Sequence, residues 1–155
     1  MRTSGTIYYI LIGAWIFKYF LAVSTLPSMA ADYIAAMNVP NMVIVLAILV
    51  VYLFLGCIMD VLAMVLLTMP VFFPIILGLG YDPIWFGIVL ARMTEIGAIT
   101  PPFGINVYVI AGIAPDVPLT TIFKGIVPFL LADFAHVALL LAFPIISLFL
   151  PRLFF

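Results

Sequence analysis

Residues 92–106 read Arg-Met-Thr-Glu-Ile-Gly-Ala-Ile-Thr-Pro-Pro-Phe-Gly-Ile-Asn and lie between long apolar runs. Pro101 and Pro102 supply no backbone N–H, and each proline ring clashes with the preceding turn, so a continuous helix should break here. A break at membrane depth frees carbonyl and amide groups that lipid cannot satisfy. Such backbone is tolerated only where it is buried in protein or lines a polar cavity. The stretch therefore predicts an interrupted helix, and we interpret the interruption as the functional site.

The composition of the chain is that of an integral membrane protein. Of its 155 residues, 68% are hydrophobic and only 7% are charged, and the mean hydropathy is +1.47. A soluble domain carries roughly a quarter charged residues. Five basic residues without a cluster cannot neutralise a phosphate backbone, which excludes nucleic acid as a partner. We expect one membrane domain over residues 1–155, surrounded by the lipid bilayer.

Long uncharged runs predict the membrane spans, because about 20 apolar residues cross the hydrocarbon core as a helix. The first run could also be a signal peptide, but it is too long for one and contains Lys18. Pro70 and Pro74 predict a kink in the third span. Lys124 lies in a stretch that we expect to approach the last span along the interface. The predicted spans are residues 5–23, 41–59, 61–81 and 127–148.

The segments on either side of the break are each too short to cross the bilayer alone. Residues 84–99 and 105–114 would form two short helical arms joined by an unwound tip. We therefore predict a re-entrant hairpin over about residues 84–114, with one kinked span over residues 86–111 as the competing interpretation. The predicted fold class is all-α: a polytopic membrane protein with kinked transmembrane helices and one re-entrant helical hairpin.

Five ionisable residues fall within or beside the predicted spans, where a charge costs a few kcal/mol and needs a partner or a task. Arg92 and Glu95 are three residues apart, so they share a helix face and can pair. That pair could stiffen the hairpin or take part in binding. Asp133 and His136 have the same spacing, which suits a hydrogen-bonded pair better than a metal site. Asp60 lacks a basic neighbour in sequence and needs a partner.

The tip of the predicted hairpin carries the chemistry of an ion and substrate site. Unwound carbonyls and side-chain oxygens suit a small alkali cation, whereas helix N-termini favour an anion. Gly97, Thr100, Gly104 and Asn106 supply these groups within ten residues, and Asp60 could add a negative charge. A protease built on two aspartates, Asp60 and Asp133, is an alternative, but neither aspartate has the glycine-flanked motif of that chemistry.

Several motifs together resemble a known family, the large membrane subunit (DctM type) of the tripartite ATP-independent periplasmic, or TRAP, transporters. Their order and spacing match over nearly all of residues 40–150, and agreement over residues 1–39 is looser. The motifs are Gly56–Asp60 with Ala63-Met64, Asp82-Pro83-Ile84-Trp85-Phe86-Gly87, Glu95-Ile96-Gly97, Thr100-Pro101-Pro102-Phe103-Gly104-Ile105-Asn106, and Gly112-Ile113-Ala114-Pro115-Asp116-Val117-Pro118.

The resemblance implies a sodium-driven importer of organic acids such as C4-dicarboxylates or sialic acids, located in the bacterial inner membrane. It implies two partners, a periplasmic solute-binding protein and a small membrane subunit, and an elevator motion. It implies no enzyme activity and no cofactor besides the coupling sodium ion. The chain resembles only the C-terminal half of such a subunit, so the N-terminal half of the binding site would be supplied by residues outside it.

Under this resemblance the candidate residues divide into two sets. Sodium would be bound by Asp60, Gly97, Thr100 and Asn106. The substrate would be bound by Arg92, Gly104 and Asn106. The alternative function is a membrane interaction or assembly subunit that has no transport activity of its own, in which the tip is inert packing.

We predict that this chain alone does not transport, because a lone half leaves the polar surface of the break without its partner. Liposomes that contain only this chain should take up no C4-dicarboxylate or sialic acid when a sodium gradient is imposed. Uptake that requires the sodium gradient would contradict this prediction.

Overall fold

The computed structural model describes residues 2–36, 39–101 and 104–154, and these residues form helices and no strand. This confirms the predicted all-α class. Asn38, Pro102 and Phe103, which carry parts of the sequence predictions, lie outside the described residues. The helices in chain order are α1 (Arg2–Ser24), α2 (Leu26–Ala36), α3 (Asn41–Ile58), α4 (Val61–Gly78), α5 (Pro83–Ile99), α6 (Ile105–Ile113), α7 (Leu119–Ala142) and α8 (Ile145–Phe154).

Four of these helices are long and apolar enough to cross a membrane: α1, α3, α4 and α7. α3 and α4 are each 18 residues long, which corresponds to about 27 Å at 1.5 Å per residue. α5 has 17 residues and is one residue shorter than α3 and α4, whereas α6 has only nine. The described residues therefore confirm a polytopic membrane protein.

The last crossing helix differs from its prediction. We expected residues 127–148 to cross after an interfacial segment, but α7 runs without interruption from Leu119 to Ala142 and contains Pro128. It ends at Phe143, whose φ of −128° and ψ of 75° are not helical. The reason is Pro144, because the residue before a proline is pushed out of the α region. A new helix, α8, begins directly after this proline.

α4 contains both of its prolines within one continuous helix and ends where glycine and turn signals predict. Pro70 and Pro74 lie inside α4, so the kink expected there stays a prediction. The helix ends at Gly78, and the N–H groups of Leu79 and Gly80 bond back to Ile75 and Leu77. Gly80 has a φ of 81°, a left-handed conformation that glycine adopts at little cost.

The chain divides into two compact units, each built from separate stretches of sequence. The first unit comprises Met1–Ile48 and Asp60–Pro83. Within it, α4 contacts both α1 and α2. The side-chain amide of Asn41, at the start of α3, donates a hydrogen bond of 3.2 Å to the carbonyl of Leu79 at the end of α4.

The second unit comprises Leu49–Met59 and Ile84–Phe155, so it holds the end of α3 and almost all of α5 to α8. α5 supplies more of its buried side chains than any other helix, and α6 contacts α7. The break between α5 and α6 lies in this unit. Its buried hydrophobic residues include Trp85, Phe86, Val89, Leu90, Met93, Ile96, Val107, Leu130, Val137, Leu140 and Leu148.

Two glycines bring α3 and α5 into backbone contact inside the second unit. A Cβ built on Gly97 would lie 2.8 Å from the Cα of Gly56 and 3.0 Å from the carbonyl oxygen of Leu53. A Cβ built on Gly56 would lie 3.2 Å from the Cα of Gly97. No side chain fits between the two backbones. The end of α3 is therefore packed directly against the last turn of α5, next to the break.

Two side-chain contacts join α5 to α7. The indole N–H of Trp85 donates to the carbonyl of Leu140 at 2.9 Å, and this contact is buried. The guanidinium of Arg92 pairs with the carboxylate of Asp133. The two positions are seven residues apart on each helix and run in opposite order along the two helices. α5 and α7 are therefore antiparallel in a fixed register, which we call the α5–α7 seam.

The α5–α7 seam limits the direction that α6 can take after the break. One further heptad along the seam places Ile99 level with Ile126, about 10 Å from the first residue of α7. If this register continues and α6 turned back as a hairpin arm, the chain would have to return over about 24 Å between Ile113 and Leu119, whereas these six steps extend to about 20–22 Å at most. The N–H of Val117 instead bonds to the carbonyl of Ala114, which shortens this loop. The hairpin stays a prediction, and the seam favours the competing single interrupted span.

We predict that Gly97→Ala destabilises the chain by about 1–3 kcal/mol, because the new methyl group would collide with the α3 backbone. Gly87→Ala on the same helix is the matched control, since a Cβ at Gly87 meets nothing within 4 Å. It should leave stability unchanged or raise it by up to about 1 kcal/mol. Thermal unfolding of the purified chain in detergent measures both. Equal effects of the two substitutions would contradict the close approach of α3 and α5.

We also predict that the two ends of the interrupted span face opposite sides of the membrane. Ile84 at the start of α5 and Asp116 in the loop after α6 are both exposed. In sealed vesicles, an impermeant maleimide should label Ile84→Cys from one side and Asp116→Cys from the other, with Cys57 replaced by alanine in both variants. Labelling of both positions from one side would support the re-entrant hairpin instead.

Candidate functional site

The described residues on either side of the α5–α6 break are joined by backbone hydrogen bonds. α5 ends at Ile99 and α6 begins at Ile105. The N–H of Thr100 bonds to the carbonyl of Gly97 at 3.2 Å, and the N–H of Gly104 bonds to the carbonyl of Thr100 at 2.9 Å. The Thr100 hydroxyl donates to the carbonyl of Ile96 at 2.6 Å. The interruption predicted from the sequence is thus present, and part of its freed backbone is satisfied within the turn.

Gly104 allows the start of α6 to approach the end of α5 closely. A Cβ at this position would lie 2.8 Å from the carbonyl carbon of Ile99 and 3.0 Å from its oxygen. Gly104 is buried and is the N-cap residue of α6, where it provides no side-chain hydrogen bond. Its carbonyl accepts the N–H of Val107 at 2.9 Å. A larger residue would separate the two helix ends that meet here.

The break brings helix ends of opposite polarity together. The last carbonyls of α5 lack partners in the helix and carry partial negative charge, whereas the first N–H groups of α6 carry partial positive charge. The hydroxyl oxygen of Thr100 donates its only proton to Ile96, so its lone pairs are available to a cation. Oxygen atoms for a cation and N–H groups for an anion therefore lie within a few residues of each other.

The structure places the other residues predicted for this site at different distances from the break. Asn106 is the second residue of α6 and is exposed. Gly97 is buried in the last turn of α5, against Gly56. Arg92 is two turns further back on α5. Backbone hydrogen bonds thus join Gly97, Thr100 and Gly104 at the break. Asn106 follows in the first turn of α6, and Arg92 lies in a separate polar cluster.

The Arg92 cluster is an ion-pair network. One terminal nitrogen of Arg92 bonds to a carboxylate oxygen of Glu95 at 2.6 Å, and the other bonds to Asp133 on α7. The Nε atom of Arg92 is buried and has no hydrogen-bond partner among the described residues. The predicted Arg92–Glu95 pair is confirmed. Both terminal nitrogens are already bonded to carboxylates, which favours the structural role of Arg92 over direct contact with a substrate.

Asp60 belongs to the first unit and caps α4. Its carboxylate accepts the N–H of Leu62 at 3.0 Å and the N–H of Ala63 at 3.3 Å. This N-cap is the partner that Asp60 needed, since a carboxylate at a helix N-terminus satisfies orphan N–H groups and complements the helix dipole. A role for Asp60 in sodium binding stays a prediction.

Other polar features of the described residues do not form a second site. No group of three or more His, Cys, Asp or Glu side chains that could hold a metal ion occurs among them. His136 is exposed on α7, and Asp133 pairs with Arg92. A cavity of about 410 Å³ in the first unit is lined by Lys18 and six residues of α4, and it contains none of the predicted site residues.

Sequence reasoning missed two residues that shape the site. Gly56 contacts Gly97, and Asp133 binds Arg92 across 41 residues of sequence. Gly56 stood in one of the quoted motifs without an assigned role, and Asp133 was paired with His136 instead. The available signals were a glycine without an assigned role near the end of one span and a carboxylate without a compensating charge in another. Neither signal identifies its partner.

Comparison with known proteins gives a consistent family. The model of the DctM component of the tripartite ATP-independent periplasmic transporter matches residues 1–146. The sialic acid TRAP transporter large permease protein of Vibrio cholerae is 34% identical over 99% of this chain and 36% of its own length. The C4-dicarboxylate permease DctM of Pseudomonas aeruginosa is 31% identical over 93% of this chain and 34% of its own length.

A third relative is the isethionate TRAP transporter permease DctMQ of Oleidesulfovibrio alaskensis, 29% identical over 97% of this chain and 22% of its own length. The chain spans about a third of the length of the first two relatives. The family match nevertheless covers nearly the whole chain, including the break and the α5–α7 seam. The chain belongs to the DctM component family of tripartite ATP-independent periplasmic transporters.

Proposed function

We propose that this chain forms part of a sodium-coupled importer of organic acids and that the α5–α6 break contributes to its ion and substrate site. One observation carries the proposal: the carbonyl end of α5 and the amide end of α6 meet across residues 100–104. Polar backbone at membrane depth requires either burial in protein or a ligand.

The proposed cation site uses the oxygens at the end of α5. Small hard cations are bound by carbonyl, hydroxyl and amide oxygens, and secondary transporters place such groups at interrupted helices. Thr100 contributes its hydroxyl oxygen, and Asn106 contributes its side-chain carbonyl. Gly97 contributes through the backbone of the last turn and through its contact with Gly56, which holds that turn in place.

The proposed substrate contacts use the start of α6. The first N–H groups of a helix point outward and favour a negatively charged group such as a carboxylate. Gly104 supplies no side-chain cap to compete for them, and Asn106 can donate from its side-chain amide. Arg92 would have to release a carboxylate before it could bind a substrate. Its contribution in this proposal is therefore through the position of α5.

The substrates and partners follow from the relatives. Their names specify sialic acid, C4-dicarboxylate and isethionate, all of which are organic anions. We propose a carboxylate-bearing solute delivered by a periplasmic binding protein, together with a small membrane subunit and the remaining part of the large permease. Like its family, the chain is a transport protein of the bacterial inner membrane and not an enzyme.

We predict that sodium stabilises this chain and that the break is responsible. In detergent, the melting temperature should be higher in NaCl than in KCl at equal ionic strength. A ligand present at a hundred times its dissociation constant adds about 2.7 kcal/mol to the free energy of unfolding. Thr100→Ala and Asn106→Ala should each reduce the difference between the two salts. Thr120→Ala, an exposed threonine at the start of α7, is the matched control and should leave it intact.

Transport is tested in a full-length context. The matching segment of the Vibrio cholerae permease is replaced by this chain, and uptake of sialic acid is measured in proteoliposomes with its own partner proteins. Thr100→Ala and Asn106→Ala should lower sodium-dependent uptake. If both substitutions left uptake unchanged, the site would be wrongly assigned and the assembly role would be the better interpretation. Equal melting temperatures in the two salts would argue against a sodium site in this chain.

A further inference from the structure

The Arg92–Asp133 pair has a geometry that a general stabilising role does not require. It lies seven residues from the Trp85–Leu140 hydrogen bond on both helices, so the two contacts occupy successive positions of one antiparallel seam. Seven residues make about two helical turns, and both contacts therefore lie on the same face of each helix. A single contact would let α5 pivot on α7. Two contacts fix the axial position of α5.

The Arg92 side chain is held rigidly enough to transmit this position. Glu95, one turn further along α5, binds its other terminal nitrogen at 2.6 Å, while the Nε atom is buried. Arg92 and Asp133 are 31% and 23% exposed as side chains, so both charges are largely removed from solvent. A planar guanidinium held by two carboxylates has little rotational freedom. The guanidinium thus links a fixed point on α7 to a fixed point on α5.

Asp133 occupies the interior of a crossing helix. It lies about 21 Å from the first residue of α7, in a helix about 36 Å long, and is therefore close to the middle. A carboxylate at that depth is costly unless it is paired. Breaking such a pair leaves an uncompensated charge, so a displaced register in which Arg92 misses Asp133 is strongly disfavoured. The charge pair selects one register among those that apolar packing would allow.

We propose that Asp133, acting through Arg92, is a positioning residue that sets the axial level of the α5–α6 break. The register claim stands on the seam alone, whereas its consequence for ion binding rests on the proposed function. A slip of α5 by one turn would move the break by about 5.4 Å. That displacement exceeds the tolerance of any set of oxygen ligands around a small cation.

The register is tested by cross-linking in the chain with Cys57 replaced by alanine. Ile99→Cys with Ile126→Cys should react with a short bismaleimide, because the seam places these two residues at the same level and on facing sides. Ile99→Cys with Ile122→Cys or with Leu130→Cys reports a slip of one turn in either direction. In the parent chain, the pair with residue 126 should dominate.

Asp133→Asn should move the cross-links from position 126 to a neighbouring turn, and Arg92→Gln should do the same. The exchanged chain, Arg92→Asp with Asp133→Arg, should restore the cross-link at position 126. Asp116→Asn in the exposed loop is the control that removes one carboxylate without touching the seam. If either single variant fails to fold, the cross-links of the exchanged chain decide whether the proposal holds. An exchanged chain that stays unfolded or keeps the displaced cross-links overturns the proposal.

The sodium dependence of the melting temperature provides a readout that stability alone would not move. Substitutions of residues that orient metal ligands commonly weaken metal affinity by roughly ten- to a hundredfold. Asp133→Asn should raise the sodium concentration required for half of the stabilisation by that factor, and the exchanged chain should reverse the change.

The outcomes separate the two proposals. Cross-links that remain at position 126 in Asp133→Asn and Arg92→Gln overturn the register claim. Cross-links that move while the sodium dependence stays the same overturn the positioning of the ion site. If the parent chain shows no response to sodium, the proposed function fails in this chain, and the cross-links still decide the register.

Discussion

Hydrocarbon offers no hydrogen-bond partner to a peptide group, and this constraint governs the arrangement around residues 100–104. A helix interrupted there must satisfy its freed backbone within the protein or present it to a ligand. The observed turn does the first in part, through Thr100 and Gly104, whose N–H groups bond within the turn. What remains is a carbonyl end facing an amide end. The chemistry proposed for the site follows from that residual polarity.

The surrounding helices hold the break from two sides. On one side, Gly56 and Gly97 let the end of α3 touch the last turn of α5 without an intervening side chain. On the other side, the seam formed with α7 fixes the level of α5. These contacts differ in kind, since the glycine pair depends on the absence of side chains and the seam depends on specific polar ones. Together they restrict the last turn of α5 laterally and axially.

The contacts of Arg92 are better explained by a role in positioning α5 than by ligand binding. Arg92 would be an obvious contact for an anionic solute if it were judged from sequence alone. In the structure one of its terminal nitrogens bonds to the carboxylate of Glu95 and the other to the carboxylate of Asp133. An interrupted helix provides an anion site through its N-terminal N–H groups and needs no arginine for this. We therefore propose that recognition and alignment are carried out by different parts of α5 and α6.

Several features were predictable because they depend on local sequence. Uncharged runs located the crossing helices, and the prolines and glycines of residues 92–106 located the break, since both properties act within a few residues. The three-residue spacing of Arg92 and Glu95 identified their pair for the same reason. The bounds of the last span were wrong, because the predicted span continued past Pro144, whereas α7 ends before it.

Tertiary structure decided the features that join distant residues. The apolar sequence around Asp133 shows that its charge is costly in a span. It does not show that Arg92, 41 residues away, compensates for that charge. Local sequence likewise leaves Gly56 without a partner until α3 and α5 are seen to touch. The sequence alone determined that the chain is a helical membrane protein and where one of its helices is interrupted. Only the tertiary structure decided the level and surroundings of that interruption, because these depend on packing between helices, which local sequence patterns do not specify.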